Sequence, residues 1–247
     1  MTGRTSFGKW IRRIDGLLLD FLYPPRCPVC DKPALPGEGI CGACKNKLHF
    51  VAQPSCMKCG KPLAGEREEY CMDCRRKKRA FLQGKALWIY EEGIRESIYR
   101  FKYRDRREYA GVYASELAVR YGGWIKRQGI QAIVPVPLHK KRKRKRGYNQ
   151  AELLAKELGR LLEIPVDTGL LVRVRDTKPQ KTLNDIERKN NLKEAFKTTQ
   201  NIVQLNYILV VDDIYTTGST LDAAAKALTD AGAKGVYTCC ISIGSDS

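Results

Sequence analysis

Apolar residues in the last two thirds of the chain alternate between short continuous runs and segments with helical spacing. The continuous runs predict strands, and the spaced segments predict amphipathic helices. The predicted strands are Lys85–Tyr90, Ala132–Val136, Leu170–Val174, Ile208–Val211 and Val236–Ile243, and the predicted helices are Ala110–Ile125, Ala151–Leu162 and Leu221–Leu228. Strands that alternate with helices indicate an α/β fold, with a parallel sheet flanked by helices. We predict that this domain covers residues 83–247 and that residues 1–82 form a smaller module.

The N-terminal module begins with an apolar stripe at helical spacing from Trp10 to Leu22, and Pro24 and Pro25 end it. We expect this amphipathic helix to pack on its own protein or on a dimer partner. Docking on a membrane surface or on another protein's helix is the alternative. No apolar run approaches the about 18 residues of a membrane-spanning helix, so we expect no transmembrane segment.

Eight of the ten cysteines form four CxxC pairs, which are separated by 10, 11 and 11 residues. They are Cys27 and Cys30, Cys41 and Cys44, Cys56 and Cys59, and Cys71 and Cys74. Two CxxC turns complete the tetrahedral four-sulfur site of a structural zinc, so the spacing predicts two Zn²⁺ ions. Pairing in sequence order is favoured, although an interleaved cross-brace fits the same spacing. Redox-active CxxC pairs are a weaker alternative, because no thioredoxin-like pattern surrounds them.

The two other cysteines, Cys239 and Cys240, lie in an apolar run and are predicted to be buried in a strand. Cysteines arranged for metal binding indicate a reducing compartment, so we expect a cytoplasmic protein. The net charge of +18 favours a polyanionic partner, with nucleic acid first and an acidic membrane surface second.

The segment NYILVVDDIYTTGST, residues 206–220, predicts a strand, a turn and a helix. We expect Asp212 and Asp213 to end the strand. The turn contains small or hydroxylated residues, which are Thr216, Thr217, Gly218, Ser219 and Thr220. Such a turn at the carboxyl end of a parallel strand directs backbone N–H groups and a helix dipole at one point, where a phosphate can bind. The carboxylates would accept hydrogen bonds from sugar hydroxyls or hold a metal carried by the ligand, so a phosphorylated sugar is predicted. An ordinary strand–turn–helix connection is the alternative.

Seven consecutive cations follow the predicted strand Ala132–Val136, and we predict a loop for them at the same sheet edge as the turn. They are Lys140, Lys141, Arg142, Lys143, Arg144, Lys145 and Arg146. This loop would neutralise pyrophosphate, a nucleic-acid backbone or both, unless it is simply solvated. The aromatic residues Tyr99, Phe101, Tyr103 and Tyr148 lie among arginines and would suit base stacking. A second basic run, Arg75–Arg79, is predicted to be a linker that is either solvated or in contact with phosphate.

Several of these motifs are shared with known proteins. Residues 212–220 resemble the phosphoribosyl pyrophosphate signature of type I phosphoribosyltransferases. Together with PVPL at 135–138, RGYNQ at 146–150 and RDTKPQ at 175–180, they make the chain similar to the ComF family of the DNA-uptake machinery.

This resemblance implies a double zinc ribbon fused to a phosphoribosyltransferase-type domain. It further implies that the protein acts beside a ComFA-type DNA translocase on incoming single-stranded DNA. Asp212 and Asp213 would face the ribose hydroxyls, and Thr216–Thr220 would hold the 5′-phosphate. The mobile-loop and pyrophosphate contacts would be Arg146, Arg175, Lys178 and Gln180, and Mg²⁺ would arrive with phosphoribosyl pyrophosphate.

Three functions are open at this point. We favour a DNA-uptake accessory protein that binds single-stranded DNA and a phosphoribosyl pyrophosphate-type ligand. The second is an adaptor whose zinc module docks a protein and whose pocket senses phosphoribosyl pyrophosphate. The third is an active phosphoribosyltransferase that releases pyrophosphate, for which the sequence identifies no acceptor-selecting motif and only His49 and His139 as histidines.

Overall fold

The computed structural model describes residues 24–35, 37–174, 195–200 and 204–245. Its strands are β1 (Gln83–Ile89), β2 (Ala132–Pro135), β3 (Leu171–Arg173), β4 (Phe196–Thr198), β5 (Tyr207–Tyr215) and β6 (Gly235–Ile243). Four of them form a wholly parallel sheet in the order β1-β6-β5-β2. The strands β3 and β4 form a separate antiparallel pair. The predicted α/β class with a parallel sheet is confirmed.

Two short helices lie in the N-terminal cysteine-rich segment, and five more follow β1. They are α1 (Gly42–Lys45), α2 (Met72–Arg76), α3 (Glu92–Tyr103), α4 (Tyr109–Arg127), α5 (Lys140–Arg146), α6 (Gln150–Leu162) and α7 (Ser219–Asp230). None of the helices in the described ranges is long and apolar enough to cross a membrane. The helix predicted from Trp10 to Leu22 lies outside the described residues.

Two hydrophobic clusters cover the two faces of the sheet, because side chains along a strand alternate between faces. Leu209 and Val211 of β5 pack in the cluster formed with α3, α4 and α6, whereas Ile208 and Val210 pack in the cluster formed with α7. The first zinc ribbon, residues 26–48, contributes to the former cluster, and the second, residues 55–77, contributes to the latter. The two ribbons therefore lie on opposite faces of the sheet.

The strand β5 does not end at the two aspartates, so that prediction was wrong. Backbone pairing with β6 continues through Asp212 opposite Cys240 to Tyr215 opposite Ile243. The polar pair can stay within the strand because Asp213 has a cationic partner, which offsets the cost of burying its charge. Cys239 and Cys240 are buried in β6, as predicted.

The cationic segment Lys140–Arg146 is the helix α5 and not the predicted loop. The imidazole of His139 accepts a hydrogen bond from the Lys141 N–H at 3.4 Å, which caps the start of the helix. Gly147 ends it in the left-handed region, with φ of 80° and a 2.8 Å bond from its N–H to the Lys143 carbonyl. The cations in the last turn also interact favourably with the negative end of the helix dipole, which partly offsets their mutual repulsion.

Candidate ligand site and zinc centres

The eight paired cysteines form two clusters, each built from two CxxC turns that are consecutive in sequence. One cluster is Cys27, Cys30, Cys41 and Cys44, and the other is Cys56, Cys59, Cys71 and Cys74. Within each cluster all four sulfur atoms lie within 4.8 Å of one another. A tetrahedral Zn²⁺ with Zn–S bonds of about 2.3 Å requires sulfur separations of about 3.8 Å. The measured 3.8 Å between Cys30 and Cys41 and 3.6 Å between Cys59 and Cys71 fit that requirement. The two clusters therefore fit two structural Zn²⁺ ions, with the sequential pairing of the CxxC turns.

The first ribbon is held by α3 and the loop after it. Ser97 donates a hydrogen bond of 2.5 Å to the Pro28 carbonyl, and Arg100 donates one of 2.5 Å to the Val29 carbonyl. Asp31 accepts hydrogen bonds from Arg106 at 2.7 Å and from Tyr109 at 2.6 Å. These contacts fix the first CxxC turn against the helix.

The helix α3 carries Lys102 near its C-terminus, and this lysine forms an ion pair of 2.7 Å with Asp213 of β5. Their side chains are only 18% and 13% exposed, so the pair lies largely out of water. Burial opposes the charge of Lys102, but the neighbouring Asp213 more than offsets it and raises the pKa of the lysine. Lys102 was not predicted as a site residue, because nothing in its local sequence distinguishes it from the other cations of α3.

Asp212 has a different environment from Asp213. Its Oδ1 accepts the backbone N–H of Asp213 at 2.9 Å, and its side chain is half-buried. Burial, followed by the negative charge of Asp213, raises the pKa of Asp212 to about 7, against smaller opposing effects of Lys102 and Arg173. One carboxylate of the pair is thus neutralised by a lysine, whereas the other is poised to gain charge near neutral pH.

The RGYNQ segment, residues 146–150, supports the end of α3 where Lys102 lies. Arg146 donates hydrogen bonds to Tyr103 at 2.9 Å and to Gln150 at 2.8 Å. Tyr148 donates to the Phe101 carbonyl, and Gln150 donates to the Lys102 carbonyl at 3.4 Å. These contacts give the segment a structural role around the acidic pair, in addition to the ligand contact that the resemblance assigns to Arg146.

The turn after β5 joins the strand to the N-terminus of α7 and contains the residues that were predicted to bind phosphate. Thr216 and Thr217 are exposed, and Gly218 has a φ of 73° at the N-terminus of α7. A Cβ atom at this glycine would lie 2.1 Å from the Tyr215 hydroxyl, so only glycine fits. The Thr217 and Ser219 hydroxyls lie 2.9 Å apart. The turn therefore offers hydroxyls and the N-terminus of a 12-residue helix at one place.

Arg79 lies beneath this turn, although the sequence predicted a linker at Arg75–Arg79. Its side chain is 3% exposed, and its guanidinium donates a hydrogen bond of 2.7 Å to the Thr217 carbonyl. It also lies 3.9 Å from the carboxylate of Asp222 in α7. Since Thr217 lies 138 positions further along the chain and Asp222 lies beyond it, no local pattern could have revealed the burial of Arg79.

The remaining predicted residues divide into three groups. Lys140, Lys141, Lys143, Arg144 and Lys145 are exposed on α5, whereas Arg142 and Arg146 are half-buried. Arg175, Lys178 and Gln180 lie outside the described residues. Among the four aromatic residues, Phe101 and Tyr148 are buried and cannot stack on bases, whereas Tyr99 and Tyr103 are 48% and 55% exposed with ring centroids 5.1 Å apart.

Comparisons with known proteins agree with this architecture. The double zinc ribbon domain family matches residues 18–75, and the phosphoribosyl transferase domain family matches residues 144–244. Competence protein F of Haemophilus influenzae is 33% identical over 199 residues, which are 77% of this chain and 84% of that protein. Competence protein ComFC of Bacillus subtilis is 30% identical and covers 80% of both chains. DNA utilization protein YhgH of Escherichia coli is 32% identical over 88% of this chain and 96% of its own. The chain therefore belongs to the ComF family, in which a double zinc ribbon precedes a phosphoribosyltransferase-fold domain.

Proposed function

We propose that this protein is an accessory factor of DNA uptake that binds a phosphoribosyl pyrophosphate-type ligand and single-stranded DNA. The observation that carries the proposal is the convergence of three features at one edge of the sheet. The acidic pair lies near the end of β5, the phosphate turn follows β5, and the cationic helix α5 follows the neighbouring parallel strand β2. Loops after parallel strands emerge at the same edge, so an anionic sugar ligand and a polyanionic strand would meet there.

The phosphosugar would be bound by both parts of the β5 segment. The N-terminus of α7 and the hydroxyls of Thr217 and Ser219 suit a 5′-phosphate. The carboxyl groups of Asp212 and Asp213 suit the ribose hydroxyls, because carboxyl oxygens are hydrogen-bond acceptors, and Asp212 becomes a stronger acceptor as the pH rises through its pKa of about 7. Carboxylate oxygens are also what Mg²⁺ prefers, so these residues would hold an ion that accompanies the pyrophosphate and reduces its charge.

Single-stranded DNA would be bound mainly through its phosphates on the exposed cations of α5. The exposed rings of Tyr99 and Tyr103 project from α3, and Arg146 lies over the Tyr103 ring at 4.7 Å. Adjacent exposed aromatic rings next to cations suit unpaired bases better than a closed duplex. The names of the relatives, competence protein and DNA utilization protein, support an assignment to DNA uptake. A ComFA-type translocase is the proposed protein partner, and the two thiolate centres favour the reducing cytoplasm as the location.

A phosphosugar-sensing adaptor is the second candidate. Two contacts favour it. The first ribbon accepts a hydrogen bond from the helix that carries Lys102, and Arg79, two residues after the second ribbon, donates one to the turn after β5, so ligand binding could change the geometry of both ribbons. An active transferase requires an acceptor in addition. Steady release of pyrophosphate in the presence of a base acceptor would promote that activity over both binding functions.

The proposal is tested by titrating phosphoribosyl pyrophosphate and a single-stranded oligonucleotide into the protein, separately and in competition. We expect both to bind and the salt dependence of DNA binding to have a slope of about −0.7 per phosphate contact. Asp212→Asn combined with Asp213→Asn should abolish phosphosugar binding while inorganic pyrophosphate still binds weakly at the cationic rim. Unchanged phosphosugar affinity in this variant, or DNA affinity independent of salt, would contradict the proposal.

A further inference from the structure

Arg79 is a buried cation at the meeting point of the second zinc ribbon, the phosphate turn and α7. It follows the ribbon directly in sequence and is 6% exposed as a residue. A guanidinium in such a place is costly unless its charge and its N–H groups are matched. The terminal nitrogens of Arg79 have partners, whereas its buried Nε has none among the described residues. The groups that match the terminal nitrogens show what Arg79 connects.

Two different elements supply partners to this guanidinium. The Thr217 carbonyl of the phosphate turn accepts a hydrogen bond of 2.7 Å, and Asp222 of α7 lies 3.9 Å away. The second ribbon adjoins the same guanidinium, because Arg79 follows Cys74 by five positions and Cys74 packs against the hydrophobic cluster that contains Tyr215 and Leu221. Since four thiolates around one Zn²⁺ carry a net charge of −2, the zinc-loaded ribbon is a suitable neighbour for a buried cation.

The hydrogen bond to the Thr217 carbonyl also orients the turn. The C=O and N–H of a trans peptide point in opposite directions, so a carbonyl that faces the buried Arg79 leaves the Gly218 N–H facing the other way. Thr216 and Thr217, the residues just before Gly218, are exposed to solvent. A phosphate bound there would receive this N–H group.

Asp222 of α7 binds the segment Arg79–Ala80 through a second contact. Its Oδ1 accepts the backbone N–H of Ala80 at 2.7 Å while the other oxygen faces Arg79. Asp222 lies in the first turn of α7, where a carboxylate is stabilised by the helix dipole. The chain leaving the second ribbon is therefore joined to both the turn and the helix that begins at it.

We infer that Arg79 is a positioning residue that links the zinc-bound second ribbon to the phosphate turn, so that the geometry of the zinc centre sets the phosphate affinity of the site. The inference rests on the proposed function, in which the turn binds the phosphate of a phosphosugar. Arg79 acts through the turn and does not itself contact the ligand.

The test compares Arg79→Lys, which keeps the charge and loses the planar fork, with Arg76→Lys, an exposed cation of the same basic run. Zinc content is measured first, and hydrogen exchange of the backbone amides from Thr216 to Ser219 is then followed by mass spectrometry. With two Zn²⁺ retained, we expect Arg79→Lys to accelerate exchange in the turn about tenfold and Arg76→Lys to leave it unchanged. Equal exchange in the two variants would overturn the inference.

Ligand binding gives a second readout that a general loss of stability would not produce. Ribose 5-phosphate should bind Arg79→Lys about tenfold more weakly, whereas pyrophosphate should bind both variants equally. If the wild-type protein binds neither ribose 5-phosphate nor phosphoribosyl pyrophosphate, the proposed function fails. The exchange experiment still decides the role of Arg79. Should Arg79→Lys not fold with two Zn²⁺, Asp222→Asn takes its place, with an expected acceleration of about threefold and the same contradicting result of no change.

Discussion

The two zinc ribbons have nearly identical cysteine spacing but hold different halves of the candidate ligand site. The first ribbon accepts hydrogen bonds from Ser97 and Arg100 of α3. Lys102, near the end of the same helix, forms the ion pair with Asp213. The second ribbon is followed by Arg79, which donates a hydrogen bond to the turn that we propose as the phosphate site. The first ribbon therefore contacts the helix that pairs with Asp213, and the second adjoins the turn after β5. The spacing of the CxxC pairs predicts that each ribbon binds a metal, whereas the contacts of each ribbon determine which part of the domain it stabilises.

The ribbons are also integrated into the core of the phosphoribosyltransferase-fold domain. Ile40 and Leu48 of the first ribbon share a cluster with Tyr113 of α4, and Cys59 of the second shares one with Leu221 of α7. Loss of either zinc should consequently disturb the sheet face on which that ribbon lies.

The largest effect is expected from removing one zinc ligand from either ribbon, which tests whether the two ribbons stabilise different parts of the protein. Cys41→Ser and Cys71→Ser should each reduce the zinc content from two ions to one, and each site contributes about 10–16 kcal/mol of binding free energy to folding. Because the ribbons cover opposite faces, hydrogen exchange should increase in α3 for Cys41→Ser and in the phosphate turn for Cys71→Ser. Identical exchange patterns in the two variants would show that the ribbons act as one unit.

The acidic half of the comparison is tested by Asp213→Asn. This change leaves the Lys102 ammonium largely buried without its partner, so we expect the free energy of unfolding to fall by about 3 kcal/mol in urea denaturation. Combining it with Lys102→Met should restore most of the stability and none of the phosphosugar affinity. The exposed pair Lys226 and Asp230 is the control, since Asp230→Asn should cost less than about 1 kcal/mol. If Asp213→Asn lowers the free energy of unfolding by no more than Asp230→Asn does, the buried ion pair contributes little to stability.

Asp212→Asn should have a smaller effect that depends on pH. The folded pKa of Asp212 is about 7, and an unfolded aspartate has a pKa of about 3.9. Between those pH values the folded chain keeps a proton that the unfolded chain has lost, so the free energy of unfolding falls as pH rises from about 4 to 7. The amide that replaces the carboxyl cannot ionise, but its oxygen can still accept the Asp213 N–H. We therefore expect the variant to gain about 1–2 kcal/mol over wild type at pH 8 and nothing at pH 4, after allowance for the partial exposure of Asp212. Parallel pH profiles for the two proteins would show that the carboxyl does not titrate in this range.

The sequence predicted those features whose signals are local. The CxxC spacing indicated the two metal clusters, and the apolar runs indicated the four parallel strands, because each depends on residues a few positions apart. The helix α5 also had a local signal, a capping residue at His139 and a glycine at Gly147, but the run of like charges between them favoured a loop. Lys102 and Arg79 could not be identified, because their roles depend on contacts with β5 and its turn more than 100 residues away.

The smallest expected effect on stability comes from the cationic helix, which lies outside both ribbon contacts. Replacing Lys141, Arg144 and Lys145 by glutamine removes three exposed charges from α5 and should change the free energy of unfolding by less than about 0.5 kcal/mol. If the DNA phosphates lie on this helix, the slope of log affinity against log salt should become shallower by about 0.7 for each lost contact, or by about 2 in total. The control is Lys126→Gln with Arg127→Gln, which removes two exposed charges from the end of α4. This end precedes the start of β2 and therefore lies at the sheet edge opposite the proposed site. Equal slopes for the two variants would place the DNA on another surface. A shallower slope for the α5 variant alone would show that the DNA phosphates contact α5, beside the proposed phosphosugar site.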